Sequence, residues 1–339
     1  MLAVIERVRV NTEKVIAWAN AVRETEKEAL ESNERVKLSS RPVFEIETES
    51  QKALLLCEGF ESNYDTSPHA KYVCYKQAWG LESYPLDYPN AFQSQFWDKA
   101  QETHCFLTSA TLKIAGSFNH FIKYSGLSHV PHKCHDIKSH FHYPSMMTFE
   151  KVEGIASPKE RHNFIHDLAT RMPEMVQGKR SSLVLFTSKY VMHQVYERLQ
   201  GDLKAGVLLQ GSCGFKSLIN RHKAQCDKGQ PSIIFGLKSC AIGLDLPKQY
   251  CENVIITKID FPVPSGFFDE AFNEYIVYQG GSPFYEHAIP EAMKTLIQSI
   301  GRLIRTEDDK GVVQFCDQRL WTTKYGQQMA RHLPKGAWA

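Results

Sequence analysis

Ser232-Ile233-Ile234-Phe235-Gly236-Leu237-Lys238-Ser239-Cys240-Ala241-Ile242-Gly243-Leu244-Asp245 is the stretch on which the reading of the fold turns. A short apolar run stops at a glycine, and small, hydroxyl-bearing and acidic residues follow. Strands buried on both faces read as such unbroken runs, and the residues after them form the loops at their carboxyl ends. The pattern recurs. Leu183-Val184-Leu185-Phe186 leads into Thr187-Ser188-Lys189-Tyr190, and His104-Cys105-Phe106-Leu107 leads into Thr108-Ser109-Ala110-Thr111-Leu112. Val254-Ile255-Ile256 and Val312-Val313-Gln314-Phe315 complete the set. Helical stretches separate the runs, so an α/β domain with a mostly parallel sheet is expected from about residue 100 onward. In such sheets the carboxyl-end loops carry function. Hydroxyls and helix amides there suit phosphate oxygens, although Ser and Thr are also ordinary helix caps.

The last helical segment carries more chemistry. Pro290 suits a first turn, and Met293, Ile297, Ile300 and Ile304, spaced 4, 3 and 4, form an apolar stripe. Gln298, Arg302 and Arg305, spaced 4 and 3, fall on another face of the same predicted helix. Gly301 would allow close approach beside Arg302. Two arginines on a helix usually mean a solvated basic face. At the end of an α/β unit, an amide with two guanidiniums instead forms a fork for phosphate oxygens.

The rest of the composition sets limits. At 339 residues, with 42% hydrophobic and 23% charged, the chain is an ordinary globular sequence of one or two domains rather than a disordered one. Forty Lys+Arg against 38 Asp+Glu give +2, so any nucleic acid must be held by local patches rather than a global basic field. No apolar run is long enough to span a bilayer, and Glu6, Arg7 and Arg9 interrupt any signal-peptide core. The nine cysteines lack a CxxC pair and read as reduced core filler, so a cytoplasmic protein without membrane contact is expected. Towards the amino terminus, Ile5, Val8, Val15, Trp18 and Val22 recur at helical spacing. Pro42 is expected to end that pattern, with Phe44, Ile46 and Thr48 alternating as a strand.

Thr108-Ser109-Ala110-Thr111, the 236–245 loop and Gln298-Ser299-Ile300-Gly301-Arg302-Leu303-Ile304-Arg305 occur in an order that resembles motifs III, V and VI of superfamily 2 helicases. The pattern is most similar to the DinG branch of the XPD-like DNA helicases. Leu208-Leu209-Gln210-Gly211, Lys258-Ile259-Asp260-Phe261-Pro262 and Asp317-Gln318-Arg319-Leu320 support it, and the resemblance covers roughly residues 100–334. It implies a RecA-like parallel sheet of the P-loop NTPase type flanked by helices, with an amino-terminal extension. Residues 1–104 would be a remnant of the arch insertion and the end of a first lobe. Residues 105–149 would be the motif III segment and connection, and 150–339 the second RecA-like lobe.

The resemblance further implies that Arg302, Arg305 and Gln298 act on the ATP phosphates, one arginine as a finger. Gly243, Asp245 and Gly301 would line the nucleotide side. Thr108, Ser109, Thr111, Ser188, Lys189, Gln210 and Ser239 would contact single-stranded DNA. ATP and Mg2+ would be shared with a first lobe absent from this sequence. A Walker A loop, GxxxxGK[ST], is needed for hydrolysis. Gly211-Ser212-Cys213-Gly214-Phe215-Lys216-Ser217 fails that pattern, because Phe215 stands where its second glycine belongs. No acidic magnesium box precedes Thr108, and the family's iron–sulfur cysteines are not in this chain. The expectation is therefore the carboxyl-terminal motor part of a 5′–3′ DNA helicase, monomeric and inactive alone. The alternative is a non-catalytic RecA-like module that binds nucleic acid or a partner. A sugar-nucleotide transferase half is a weaker third reading, since it gives no reason for Gln298, Arg302 and Arg305.

Two departures from the family pattern stand out. Ile242 replaces the usual acid before the motif V glycine, and Ser139-His140-Phe141 replaces Ser-Pro-Phe. His129, His132, Cys134, His135, His140 and His142 cluster in sequence, but their spacing fits no standard zinc finger, and structural histidines are expected there.

Overall fold

Seven strands form one sheet: β3 (Met147–Lys151), β4 (Ser181–Leu185), β5 (Val207–Leu209), β6 (Ser232–Gly236), β7 (Asn253–Ile256), β8 (Gly311–Phe315) and β9 (Ala337–Trp338). They are ordered β5-β6-β4-β7-β8-β3-β9, and every pair is parallel. A hairpin, β1 (His69–Tyr75) with β2 (Trp79–Pro85), forms a separate two-stranded sheet. The computed structural model describes residues 2–31, 40–61, 68–75, 79–100 and 103–338.

The central strands hold the domain. Every residue of β4, β6 and β7 is buried. Side chains alternate across the sheet, as period-two geometry requires. Leu183, Leu185, Ile234, Val254 and Ile256 enter one core layer, where Met293, Leu296 and Ile300 of the Ile289–Ile300 helix cover them. Val184, Phe186, Ile233, Phe235 and Ile255 enter the opposite layer, under Phe164, Leu168 and Met172 of the Arg161–Val176 helix. At about 1.5–3 kcal/mol for each large apolar side chain, these two layers are the main stabilising term. The sheet edges are blunted by their brevity, since β5 has three residues and β9 two.

The expected α/β domain with a parallel sheet is therefore the observed one, and four of its strands lie where the apolar runs predicted. The run at 104–107 is not a strand. Phe106 is 93% exposed, and among the described residues of its unit no neighbouring strand accepts the segment. A strand without a ladder partner leaves its backbone groups unpaired, so the apolar run alone does not fix the conformation.

Compactness divides the chain into two units. One comprises Met1–Thr103, Lys123–Pro131 and Pro264–Pro283, and the other comprises His104–Ile122, His132–Val263 and Phe284–Ala339. In the first unit, helices Leu2–Glu31 and Ser40–Glu61 pack along each other. Among the described side chains of the first helix, the buried positions are Ile5, Thr12 and Ala19, one per heptad. Val8, Val15 and Trp18 of the predicted stripe face solvent instead. Helical spacing alone does not say which face a partner helix covers, and the small Ala19 and Thr12 allow the closer approach. The strand expected at 44–48 is likewise helix. Pro42 lies in that helix's first turn, where proline removes no intrahelical bond. Ala70, Leu86, Phe272 and Ile276 form this unit's own small core, so the Phe267–Tyr278 helix packs with the amino-terminal residues.

Of the described cysteines, Cys226 and Cys240 have thiols pushed by burial to about 11, and Cys251 to about 12. They are protonated filler. No described helix is long and apolar enough to cross a membrane.

Gly326 fixes the carboxyl-terminal packing. A Cβ there would run into the carbonyl of Arg319 and the Cα of Leu320, where the Arg319–Thr322 helix meets the Lys324–Arg331 helix. Gly326→Ala is expected to lower the unfolding free energy by more than about 2 kcal/mol in guanidinium titrations. An unchanged midpoint would contradict this packing.

Candidate functional site

The two arginines of the Gln298-to-Arg305 block do not sit on a helix face. The helix ends at Ile300, and Gly301 to Leu303 tighten into a turn. Arg302 donates its N–H to the Ser299 carbonyl at 3.1 Å and Leu303 to that of Ile300 at 3.1 Å. Such i→i+3 bonds are the usual way a helix end satisfies its last carbonyls. A Cβ on Gly301 would meet only carbonyls of its own turn, so no second element approaches there.

Leaving the helix separates the roles of the arginines. Arg302 reaches across to the end of the Lys238–Gly243 helix. Its Nε donates to the Ala241 carbonyl at 2.6 Å and its Nη1 to the Leu244 carbonyl at 2.5 Å. The guanidinium is half-buried, and desolvation followed by the charge of Arg305 lowers its pKa. Arg305 stays at the surface. Its Nη2 makes a longer bond of 3.3 Å to the same Leu244 carbonyl, and its Nε lies 3.8 Å from the exposed Asp245 carboxylate. An exposed pair at that distance contributes well under 1 kcal/mol, so Arg305 remains available to another anion. Gly243, Asp245, Gly301, Arg302 and Arg305 are thus brought together. Gln298 is half-buried and makes no side-chain hydrogen bond to a described residue. The side chain of Ile242 lies outside the described residues.

The residues expected to meet nucleic acid divide. Gln210 and Ser239 meet, but bond each other: Gln210 Nε2 donates to Ser239 Oγ at 2.6 Å. Gln210 Oε1 accepts the Leu237 N–H at 2.7 Å and the Cys240 thiol at 3.0 Å. Gln210 therefore caps the 238–243 helix from the neighbouring strand. Ser188 caps the Lys189–Arg198 helix, its Oγ accepting from Val191, while Lys189 is exposed. Thr108 and Ser109 are exposed, and Ser109 Oγ accepts the Thr111 N–H at 3.2 Å in a local turn. Among the described residues no three His, Cys, Asp or Glu side chains converge as a metal site would require.

Residues that the sequence reading quoted without a site role also contribute. Lys238, Lys258 and Asp260 line a narrow cleft with Thr187, Thr295 and Ser299 at the carboxyl ends of β4, β6 and β7. Burial raises the Asp260 carboxyl and lowers the Lys258 ammonium, so neither ion is fully solvated. Buried Asp317 holds Arg319 through both carboxylate oxygens, at 2.9 and 2.6 Å, and accepts the Ile259 N–H at 2.9 Å. Although burial alone would lower it, the Asp317 bond and charge raise the Arg319 pKa. This pair clamps the segment that follows β7. A signal existed for it in the Asp317-Gln318-Arg319-Leu320 stretch, which begins two residues after β8 ends.

Comparison with known proteins places this geometry. Residues 172–336 match the model of the helicase C-terminal domain. Over those residues the chain is similar to a helicase C-terminal domain, and the relatives it matches include DinG-type helicases. The ATP-dependent DNA helicase DinG of Photobacterium profundum is 35% identical over 254 residues, covering 74% of this chain and 36% of that protein. The ATP-dependent DNA helicase YoaA of Haemophilus influenzae is 32% identical, over 76% of this chain and 39% of that protein. A Bacillus subtilis relative named 3′-5′ exonuclease DinG is 30% identical, over 76% of this chain and 28% of its own. The chain thus spans between about a quarter and two fifths of these relatives. A solved XPD helicase shares the fold at TM-score 0.54 and 13% identity, over 98% of this chain and 64% of that one. An XPD-type structure from S. tokodaii shares it at TM-score 0.51 and 14% identity, over 95% and 58%.

The two arginines should respond differently to truncation. Arg302→Ala leaves the Ala241 carbonyl without its side-chain donor and the Leu244 carbonyl with only the longer Arg305 bond, and is expected to destabilise by about 2 kcal/mol. Arg305→Ala is expected to stay within about 0.5 kcal/mol of the parent. Guanidinium midpoints measure both, and equal losses would contradict the division of roles.

Proposed function

We propose that this helicase C-terminal domain is the second motor lobe of a DinG-like ATP-dependent DNA helicase that moves 5′ to 3′ on single-stranded DNA. The observation that supports this reading is the unequal engagement of the two arginines. Arg305 is a surface cation held loosely beside Asp245, while Arg302 is committed to backbone carbonyls. In this reading Arg305 is the arginine finger, stabilising charge on the transferring phosphoryl group. Arg302 holds the Gly243–Asp245 loop against the turn that presents it. Gln298, in the last turn of the Ile289–Ile300 helix and without a partner among described side chains, would orient the finger or the attacking water.

ATP and Mg2+ would be bound mainly by a partner lobe bearing a Walker A loop, with this chain closing the site. The exposed guanidinium of Arg305 fits a phosphate, whereas the donors of Arg302 are already taken. Single-stranded DNA would run over the carboxyl ends of β4, β6 and β7, where Lys189, Lys238 and Lys258 stand. Gln210 and Ser239 then act by shaping the 236–245 loop, because their polar groups are paired to each other.

Alone the chain is expected to leave ATP unhydrolysed with or without single-stranded DNA. Supplying a Walker A lobe should restore DNA-stimulated turnover. Arg305→Ala should then cut kcat by at least about a thousandfold, the scale of arginine fingers in related NTPases. Turnover by the chain alone, or normal turnover in Arg305→Ala, would refute the assignment. DNA binding by the chain should weaken with salt at a slope of about −0.7 per phosphate contacted, and a salt-independent affinity would count against a backbone track.

A further inference from the structure

The arginine proposed as the finger has no regular structure beneath it. Residues 304–310 lie in neither helix nor strand, between the Ile289–Ile300 helix and β8. A side chain is only as well placed as its backbone, so something else must hold this turn. Two adjacent acids occupy it, and they behave differently. Asp308 is exposed, whereas Asp309 is 2% exposed.

The Asp309 carboxylate is saturated with donors from two separate loops. Its Oδ2 accepts the backbone N–H of Arg305 at 2.5 Å and of Thr306 at 2.6 Å. Its Oδ1 accepts the backbone N–H of Lys248 at 2.8 Å and the Thr306 hydroxyl at 3.0 Å. Lys248 follows Asp245 by three residues and holds φ at +58°, a conformation unfavourable for a residue with a Cβ. Leu246, between them, is buried at 3% exposure. One carboxylate therefore fixes the amide of Arg305 and, at the same time, the end of the loop that carries Asp245. Burial alone would raise the Asp309 pKa, but the donors from Arg305, Thr306 and Lys248 outweigh it and lower it. The group is thus ionised throughout the neutral range. The stability it confers is present above the ordinary carboxylate range and is lost as pH falls through the lowered value.

We propose that Asp309 is the positioning residue for Arg305, tying the backbone of the finger to the Asp245 loop so that the guanidinium is aimed before the nucleotide arrives. This rests on the reading of Arg305 as the nucleotide-facing cation. Asp309→Asn preserves size but places an amide donor where a carboxylate oxygen accepts, so it loses half of the clamp.

The test compares parent, Asp309→Asn, Arg305→Ala and the double variant in the ATP-hydrolysing protein that contains this chain and a Walker A lobe. Misplacement of a catalytic group by about 1 Å can lower a rate by about a hundredfold. Asp309→Asn is accordingly expected to lower kcat by about 10- to 100-fold, with KM for ATP within about threefold of the parent. It should add nothing in the Arg305→Ala background. Loss of turnover in Arg305→Ala with normal turnover in Asp309→Asn overturns this proposal alone. Normal turnover in Arg305→Ala overturns the arginine reading and this proposal together. A further loss in the double variant shows that Asp309 acts through something other than Arg305, and also overturns it. If Asp309→Asn does not fold, Thr306→Val, which removes one donor and leaves the carboxylate, should lower kcat in the same direction without altering KM. An unchanged kcat there would overturn the proposal. In the chain alone, amide hydrogen exchange at Lys248, Arg305 and Thr306 should accelerate in Asp309→Asn while β6 and β7 stay protected; equal exchange at those amides would contradict the clamp.

Discussion

The guanidinium of Arg302, set between the carbonyls of Ala241 and Leu244, is the interaction on which the site depends. It joins the segment that follows β6 to the segment that follows the Ile289–Ile300 helix, about 60 residues apart in sequence. A short helix ends with unpaired carbonyls, and a half-buried cation satisfies them more strongly than a neutral donor would. Without it the 236–245 loop and the arginine-bearing turn would be joined by the Asp309 clamp, the longer Arg305 bond and apolar packing alone. With it, Arg305 is left as the cation facing outward, and Asp309 closes the arrangement from the other side.

The sheet makes this bridge possible. Strands β4, β6 and β7 are buried on both faces, so their carboxyl ends sit on a rigid platform. Gly236 shows how closely the loop follows. A Cβ there would lie 2.6 Å from Cys240, so the helix can begin directly over the strand end only if that position is glycine. Gln210 caps the start of this helix and Arg302 its end. Two polar side chains from different elements thus hold a six-residue helix that would not persist by itself.

How much of this could be read from the sequence depended on the kind of signal. Strands β4, β6, β7 and β8 announced themselves because burial on both faces demands unbroken apolar runs. Strand β3, Met147-Thr148-Phe149-Glu150-Lys151, lies nearer the edge and alternates, so it gave no such run. Motif order placed Gln298, Arg302 and Arg305 in one neighbourhood. Helical periodicity then misdirected, because it assumed the helix continues past Ile300. The difference between Arg302 and Arg305 is made by carbonyls in another segment, which spacing cannot reveal. Asp309 was hidden for a similar reason: beside Asp308 it reads as one more acid in a polar turn, and only burial separates them. In the amino-terminal helices the choice of face belonged to the partner helix, so Val8 and Trp18 looked like core and are not.

The central claim is that the two arginines divide the work, one holding the loops and the other reaching the nucleotide. A crystal structure of this chain with a Walker A lobe, ADP–aluminium fluoride and single-stranded DNA tests it most directly. The account predicts the Arg305 guanidinium on the fluoride group, with Arg302 still bonded to the Ala241 and Leu244 carbonyls. Arg302 on the fluoride group with Arg305 turned away, or neither arginine near it, would contradict the account.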